Sequence, residues 1–151
     1  MNIVLVLIHS FVAACWLGSI FYSATILNPK TPLYLSDDES EEFLLKITHG
    51  NRYRILGSYS AVLLTGIVLL FLQRERLNQD LWMWIIVTKT LFSIAYICIF
   101  YWVSWVVYPW RIFASKEERP KYRRKNTILR WLMFSCVAIC FVLGIALHYV
   151  S

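Results

Sequence analysis

The chain has 151 residues, of which 59% are hydrophobic and 16% charged, and its mean hydropathy is +0.58. Soluble domains are usually about 25% charged, so this composition excludes an ordinary water-soluble domain. The formal net charge of +6 does not indicate a nucleic-acid-binding protein, because the basic residues lie between long apolar segments.

Four apolar segments follow one another along the chain, each long enough to cross a bilayer. We predict transmembrane helices over residues 3–28, 55–73, 81–109 and 130–149. The predicted fold class is all-α: an integral membrane four-helix bundle that forms a single transmembrane domain over residues 1–151. The first segment lacks the basic region and cleavage site of a signal peptide, so we expect it in the mature protein. No internal repeat is evident.

A charged segment between the first two spans begins with Ser36-Asp37-Asp38-Glu39. Serine followed three residues later by glutamate is a capping box, which starts a helix by satisfying free backbone N–H groups. Apolar residues follow at positions 43, 44, 45 and 47. We therefore predict a short amphipathic cytoplasmic helix from Asp37 to about Thr48 that lies along the membrane surface.

The basic residues of the connections predict the orientation of the chain. The first and third connections hold four and eight Lys and Arg residues, whereas the second holds Arg74 and Arg76 alone. Cytoplasmic loops carry such an excess of positive charge. We therefore expect a multi-pass membrane protein with both termini outside or periplasmic. We expect the basic residues to contact the lipid bilayer, and we expect no nucleic-acid partner.

Two polar residues lie at the same depth inside the predicted spans: His9 in the first and Lys89 in the third. A charge in a span costs about 2.5 to 3.5 kcal/mol. Lys89 therefore either meets an anionic or electron-rich ligand inside the bundle or reaches the nearby interface with its flexible stem. His9 is a haem or metal ligand, a proton relay, or a side chain hydrogen-bonded to a neighbouring helix.

Two further candidates lie near span ends. His148 reaches the layer of His9 if the fourth helix is displaced inward, and otherwise it is an interfacial histidine. Arg54 binds a lipid phosphate or, if it faces the bundle, a propionate or phosphate group. The four cysteines include no C-x-x-C pair, so a thiol redox centre lacks its motif.

The order of these features resembles a known superfamily of small four-helix membrane proteins. It contains the copper-resistance D (CopD) membrane domain and the HemJ-type protoporphyrinogen oxidases. The motifs that carry the resemblance are Ile8-His9, Cys15-Trp16-Leu17-Gly18, Arg52-Tyr53-Arg54, Leu63-Leu64-Thr65-Gly66 and Val87-Thr88-Lys89.

The resemblance implies an inner-membrane protein which, in the HemJ-type branch, binds haem b and takes part in the six-electron oxidation of protoporphyrinogen IX. By position it implies His9 as the axial metal ligand, with Trp16, Arg54 and Lys89 in supporting roles. It also implies a histidine in the third span shortly after the lysine, and residues 90–108 contain none. Three alternatives therefore stay open: His148 takes the place of the missing histidine, the iron is five-coordinate, or the chain binds no haem.

Three hypotheses follow for the function. The first is a haem-binding oxidoreductase related to protoporphyrinogen oxidation, in which a porphyrin or haem ligand favours a homodimer. The second is a non-catalytic transport or accessory protein of the copper-resistance D kind. The third is a structural subunit whose polar residues join helices. Whether the protein is an enzyme stays open at this point.

Overall fold

The computed structural model describes residues 3–149, without the side chains of residues 112, 148 and 149. Within this range the protein is helical and contains no strand. The α-helices are α1 (Ile3–Tyr22), α2 (Asn28–Tyr34), α3 (Asp37–Leu72), α4 (Asp80–Trp102), α5 (Tyr108–Phe113) and α6 (Arg119–Tyr149). A π-helical turn over Ser23–Leu27 joins α1 to α2, another over Val103–Val107 joins α4 to α5, and a 3₁₀ turn over Arg74–Asn78 precedes α4.

Four helical segments are long and apolar enough to cross a membrane, as in a multi-pass membrane protein. They are span 1 (Ile3–Tyr34), span 2 (Asp37–Leu72), span 3 (Asp80–Arg111) and span 4 (Arg119–Leu147). The prediction of an all-α chain with four such helices is confirmed. Large apolar side chains on the outer faces, such as Leu7, Phe71 and Leu91, are more than 60% exposed, which suits contact with lipid.

The predicted short helix from Asp37 to Thr48 is wrong as a separate element. Its capping box is present, since the Ser36 backbone N–H and hydroxyl both donate to Glu39 Oε2, at 3.1 and 2.7 Å. The helix that begins there continues for 36 residues to Leu72, longer than the roughly 20 residues that cross a bilayer, so its charged first turns extend beyond the membrane-spanning part of span 2. No proline interrupts it, and a helix without a breaker continues once it has formed.

The chain consists of two structurally equivalent halves, which the sequence analysis did not find. Each residue of span 1 corresponds to the residue 80 positions later in span 3: the π-helical turns coincide, as do Pro29 and Pro109. Spans 2 and 4 correspond at an offset of 78, which aligns Gly66-Ile67-Val68-Leu69 with Gly144-Ile145-Ala146-Leu147. The bundle is therefore a parallel repeat of two helical hairpins.

The core lies where the two halves meet. Trp16 and Ile20 of span 1 and their equivalents Tyr96 and Phe100 of span 3 are all buried in one apolar cluster. The Trp16 and Tyr96 rings meet edge to face, with centroids 4.6 Å apart. This cluster closes the centre of the bundle, and it separates a cavity at one end from a charged network at the other.

Candidate functional site: the His9–Lys89 cavity

One end of the bundle, where spans 1 and 3 begin and spans 2 and 4 end, encloses a cavity of about 410 Å³; we call it the cavity end. This volume lies in the usual range of small-molecule sites, about 300 to 1,000 Å³. Most of the lining is apolar, and the polar side chains that reach it are His9, Ser10, Gln73, Arg76, Lys89 and Cys140. The cavity therefore brings together His9 and Lys89, as their equal depth in the sequence indicated.

A threonine in span 2 orients His9. The His9 Nδ1 atom lies 2.8 Å from Thr65 Oγ1, and the Thr65 hydroxyl donates to the Ala61 carbonyl at 2.7 Å. Because the single hydroxyl proton is engaged there, Nδ1 donates its own proton to Thr65. This tautomer leaves the lone pair on Nε2, the nitrogen with which an oriented histidine binds a metal.

Gly66 permits the close approach of His9 to span 2. A Cβ atom added at this position would lie 3.3 Å from His9 Cε1, closer than ordinary side-chain contacts. By contrast, a Cβ atom at Gly57 in the same helix would meet nothing within 4 Å. The absence of a side chain at Gly66 therefore fixes where the imidazole ring lies.

Lys89 occupies the equivalent position in the second half. A Cβ atom at Gly144 would lie 3.2 Å from Lys89 Nζ, as one at Gly66 would lie against His9. The Nζ atom therefore lies between spans 3 and 4, and its stem does not lead it to the interface. No carboxylate lies within 4.0 Å of Nζ in the described part of the chain.

An aromatic group forms the floor of the cavity. Trp16 lines the cavity and donates from Nε1 to the hydroxyl of Tyr96 at 3.2 Å. Tyr96 is 1% exposed and lies beneath Trp16, so it supports the cavity wall without lining it. Tyr59 packs against both rings, and its hydroxyl lies 3.3 Å from Ser93 Oγ. The sequence analysis singled out Trp16 and missed Tyr59.

The other predicted site residues do not join this cavity. Arg54 is exposed and lies twelve residues before Gly66 in α3, roughly 18 Å along the helix. His148 falls outside the described side chains. Arg76 was assigned to a loop by the sequence analysis, yet it lines the cavity together with Gln73. Its guanidinium can pair with the carboxylate of a ligand in the cavity.

The opposite end, which we call the basic end, carries a buried ion pair between two connections. Arg111 donates from Nε and Nη2 to the two oxygens of Glu41, at 2.7 and 3.0 Å, and Arg123 Nε donates to the same carboxylate at 2.7 Å. Burial opposes ionisation of Glu41, but the hydrogen bonds from both arginines outweigh it and lower the pKa of this carboxyl.

Exposed ion pairs surround this buried one. Arg119 and Lys116 donate to Asp38 at 2.6 and 2.9 Å, and Arg123 reaches Asp37 at 3.1 Å. The hydrogen bonds from Arg119 and Lys116 lower the pKa of Asp38 to about 2. The basic third connection thus pairs in part with acids at the start of α3, a contact between halves that loop charge alone did not indicate.

Comparisons with known proteins leave the family open: no family model, no curated protein and no solved structure matches the chain. Among the described side chains, which do not include His148, no three His, Cys, Asp or Glu residues form a group suited to a metal ion. The chemistry of the cavity therefore depends on His9, Lys89, Arg76 and the neighbouring Cys140.

Proposed function

We propose that this is an integral inner-membrane protein, with both termini outside or periplasmic, that binds haem b in the His9–Lys89 cavity. The observation that carries the proposal is that an oriented histidine and a lysine share one largely apolar cavity, and that no carboxylate of the described residues lies within 4.0 Å of the lysine. Haem supplies one-electron chemistry when bound, and an oxidation related to that of protoporphyrinogen IX uses such chemistry.

The residues present suit the group. His9 offers Nε2 to a metal, because Thr65 holds Nδ1 as the protonated nitrogen. Lys89 and Arg76 offer two cations to the carboxylates of a porphyrin, and Arg76 takes the role that the sequence gave to Arg54. Trp16 offers an aromatic wall. We further propose that the haem-bound protein is a homodimer, as the sequence analysis predicted.

A second candidate function, copper transport or an accessory role of the copper-resistance D kind, rests on Cys140. Its thiol lines the same cavity as His9 and donates to the Lys89 carbonyl at 3.4 Å. Thiolate and imidazole are ligands that Cu(I) accepts. Two ligands hold a copper ion less tightly than a complete set would. The site therefore suits a protein that transfers copper better than one that stores it.

Absorption spectroscopy tests the haem proposal. The full chain is purified in dodecyl maltoside from cells supplied with a haem precursor, and oxidised and dithionite-reduced spectra are recorded. We expect a Soret band with sharp reduced bands at about one haem per chain or per dimer, lost in His9→Ala and kept in His49→Ala. His49 is the matched control because it is exposed in the charged half of span 2.

A folded protein without a Soret band, or equal haem content in both variants, contradicts the proposal. Copper binding is then measured with a Cu(I)-specific chelator in competition. Cys140→Ser weakens Cu(I) binding under the second candidate function, whereas Cys98→Ser leaves it unchanged, because Cys98 lies exposed on span 3. Size-exclusion chromatography with light scattering of the haem-loaded protein tests the homodimer.

A further inference from the structure

Arg130, at the basic end of span 4, is enclosed by uncharged partners. Its Nη1 donates to the hydroxyl of Ser23 in the π-helical turn of span 1. With the Asn126 amide oxygen turned toward the guanidinium groups, that oxygen accepts from Arg130 Nε and from Arg111 Nη1, each at 3.2 Å. Among the described residues, no carboxylate lies within 4.0 Å of Arg130.

The network around Arg130 has too few negative charges to balance it. Asn126 links Arg130 to the ion pairs of the basic end, which contain more cations than carboxylates. The cations are Arg111, Lys116, Arg119, Arg123 and Arg130, and the carboxylates are Asp37, Asp38 and Glu41. A guanidinium withdrawn from water is stabilised by a paired anion, so this region has room for a further negative charge.

A small cavity lies next to Arg130, and a bound anion would fit in it. It has a volume of about 70 Å³ and is lined by Ala24, Asn28, Pro29, Thr127 and Arg130. We call it the Arg130 pocket. Its size admits a group larger than a single water molecule. The Arg130 guanidinium supplies the hydrogen-bond donors at its wall, because the Asn28 amide donates to Ser23 and the Thr127 hydroxyl donates to the Arg123 carbonyl.

In the first half of the repeat, the equivalent arginine is covered by aromatic rings. Arg52 corresponds to Arg130, and its guanidinium lies 5.4 Å from the Trp105 ring and 5.2 Å from the Tyr108 ring. These rings stabilise the cation. Tyr108 corresponds to Asn28 at the offset of 80, so a small amide replaces a phenol ring beside Arg130. The repeat thus covers Arg52 with aromatic rings and leaves Arg130 beside a small cavity.

We propose that the Arg130 pocket binds the phosphate group of an anionic ligand. A guanidinium fork matches two phosphate oxygens, and its positive charge strengthens both hydrogen bonds. The phosphate comes either from a lipid headgroup, because Arg130 precedes the apolar part of span 4, or from a soluble phosphate. The proposal is independent of haem, since this pocket and the His9–Lys89 cavity lie on opposite sides of the aromatic core.

Thermal unfolding followed by tryptophan fluorescence tests the proposal. The full chain in dodecyl maltoside is titrated with inorganic phosphate against chloride of equal ionic strength, and separately with phosphatidylglycerol against diacylglycerol. A saturable rise in Tm is expected in at least one titration. A rise with inorganic phosphate indicates a soluble ligand, and a rise with phosphatidylglycerol alone indicates a lipid headgroup.

Three variants show whether the effect belongs to this pocket. Arg130→Gln is expected to weaken the response at least about tenfold, because it removes charge-assisted hydrogen bonds. Arg52→Gln, at the equivalent position, and Arg124→Gln, at an exposed site nearby, are expected to keep the response within about twofold. Equal responses of Arg130→Gln and the unchanged protein overturn the proposal, as does the absence of any rise.

A pocket-filling variant keeps the test decisive if Arg130→Gln does not fold. Asn28→Tyr copies the residue that stands at the equivalent position in the second half, Tyr108. The ring is expected to fill the pocket, to cover the guanidinium as in the other half and to abolish the phosphate response while Arg130 remains. A phosphate response that persists in Asn28→Tyr overturns the proposal.

Discussion

Trp16 and Tyr96 stand at equivalent positions of the two halves and are hydrogen-bonded to each other, with Trp16 Nε1 donating to the Tyr96 hydroxyl at 3.2 Å. The bond therefore joins the halves at the centre of the bundle. Both side chains are at least 94% buried, so neither polar atom has access to water as an alternative partner. A buried donor without an acceptor costs about 1 to 3 kcal/mol.

This relationship predicts the effect of Tyr96→Phe. The variant keeps the ring and removes the acceptor, which leaves the Trp16 N–H buried without its partner. We expect the free energy of unfolding in detergent to fall by about 1 to 3 kcal/mol. Tyr101→Phe serves as the control, because Tyr101 is 60% exposed on the same span, and its effect is expected to stay within about 0.5 kcal/mol. Equal effects of the two variants contradict a role for the bond.

Gly66 is predicted to resist a substitution that Gly57 tolerates. Alanine at an exposed helical position stabilises by up to about 1 kcal/mol relative to glycine. Gly57→Ala is expected to show this gain, since its Cβ meets nothing within 4 Å. Gly66→Ala places its Cβ 3.3 Å from a His9 ring that is hydrogen-bonded in position, so the gain is expected to be cancelled or reversed. A higher Tm for Gly66→Ala than for Gly57→Ala contradicts this packing.

Much of the fold follows from local signals in the sequence. Hydropathy located four helices, because a lipid environment requires a continuous apolar surface. The serine and glutamate of the capping box located the start of α3. The end of that helix at Leu72 lies within one residue of the predicted end of the second span, but its continuation from Thr48 through His49-Gly50-Asn51 was missed, because glycine and asparagine there are typical of a helix end. A capping box predicts where a helix begins and carries no information on how far it extends.

The candidate site was predictable in part. Equal depth in two spans placed His9 and Lys89 together, since helical rise converts sequence distance into depth. Arg76 was missed because the surroundings of a loop position depend on neighbours that one sequence does not reveal. The repeat was hidden because spans 1 and 3 share a single identity, Pro29 with Pro109. The shared Gly-Ile-x-Leu motif of spans 2 and 4 was the signal available.

Thr65→Val is predicted to disturb His9 without removing it. The change is nearly isosteric and deletes the hydroxyl that accepts from His9 Nδ1. If haem binds as proposed, loss of this oriented partner weakens haem affinity by about 10- to 100-fold, measured by titration at the Soret band. Thr90→Val is the matched control, because the Thr90 hydroxyl donates to its own helix at Ile86. Equal haem affinity of the two variants contradicts the orienting role.

Glu41→Gln is predicted to be the most destabilising change at the basic end. The neutral amide leaves Arg111 and Arg123 without their shared carboxylate, and breaking a buried ion pair costs about 3 to 5 kcal/mol. Glu42→Gln removes an exposed carboxylate paired with Lys46, where surface pairs contribute about 0 to 1 kcal/mol. Denaturant unfolding in detergent measures both, and similar losses in the two variants contradict the assigned burial.

The same carboxylates predict a loss of stability in acid. The pKa of Glu41 is lowered in the folded protein and that of Asp38 lies at about 2, so folding favours their ionised forms. Their contribution is present above the unfolded pKa values of about 4 and is lost as the pH falls through the lower folded values. We expect Tm to decline between about pH 4.5 and 2.

The decline is expected to flatten in the double variant Asp38→Asn with Glu41→Gln, because amides do not titrate in this range. An unchanged slope in that variant assigns the acid sensitivity to other groups and contradicts the prediction.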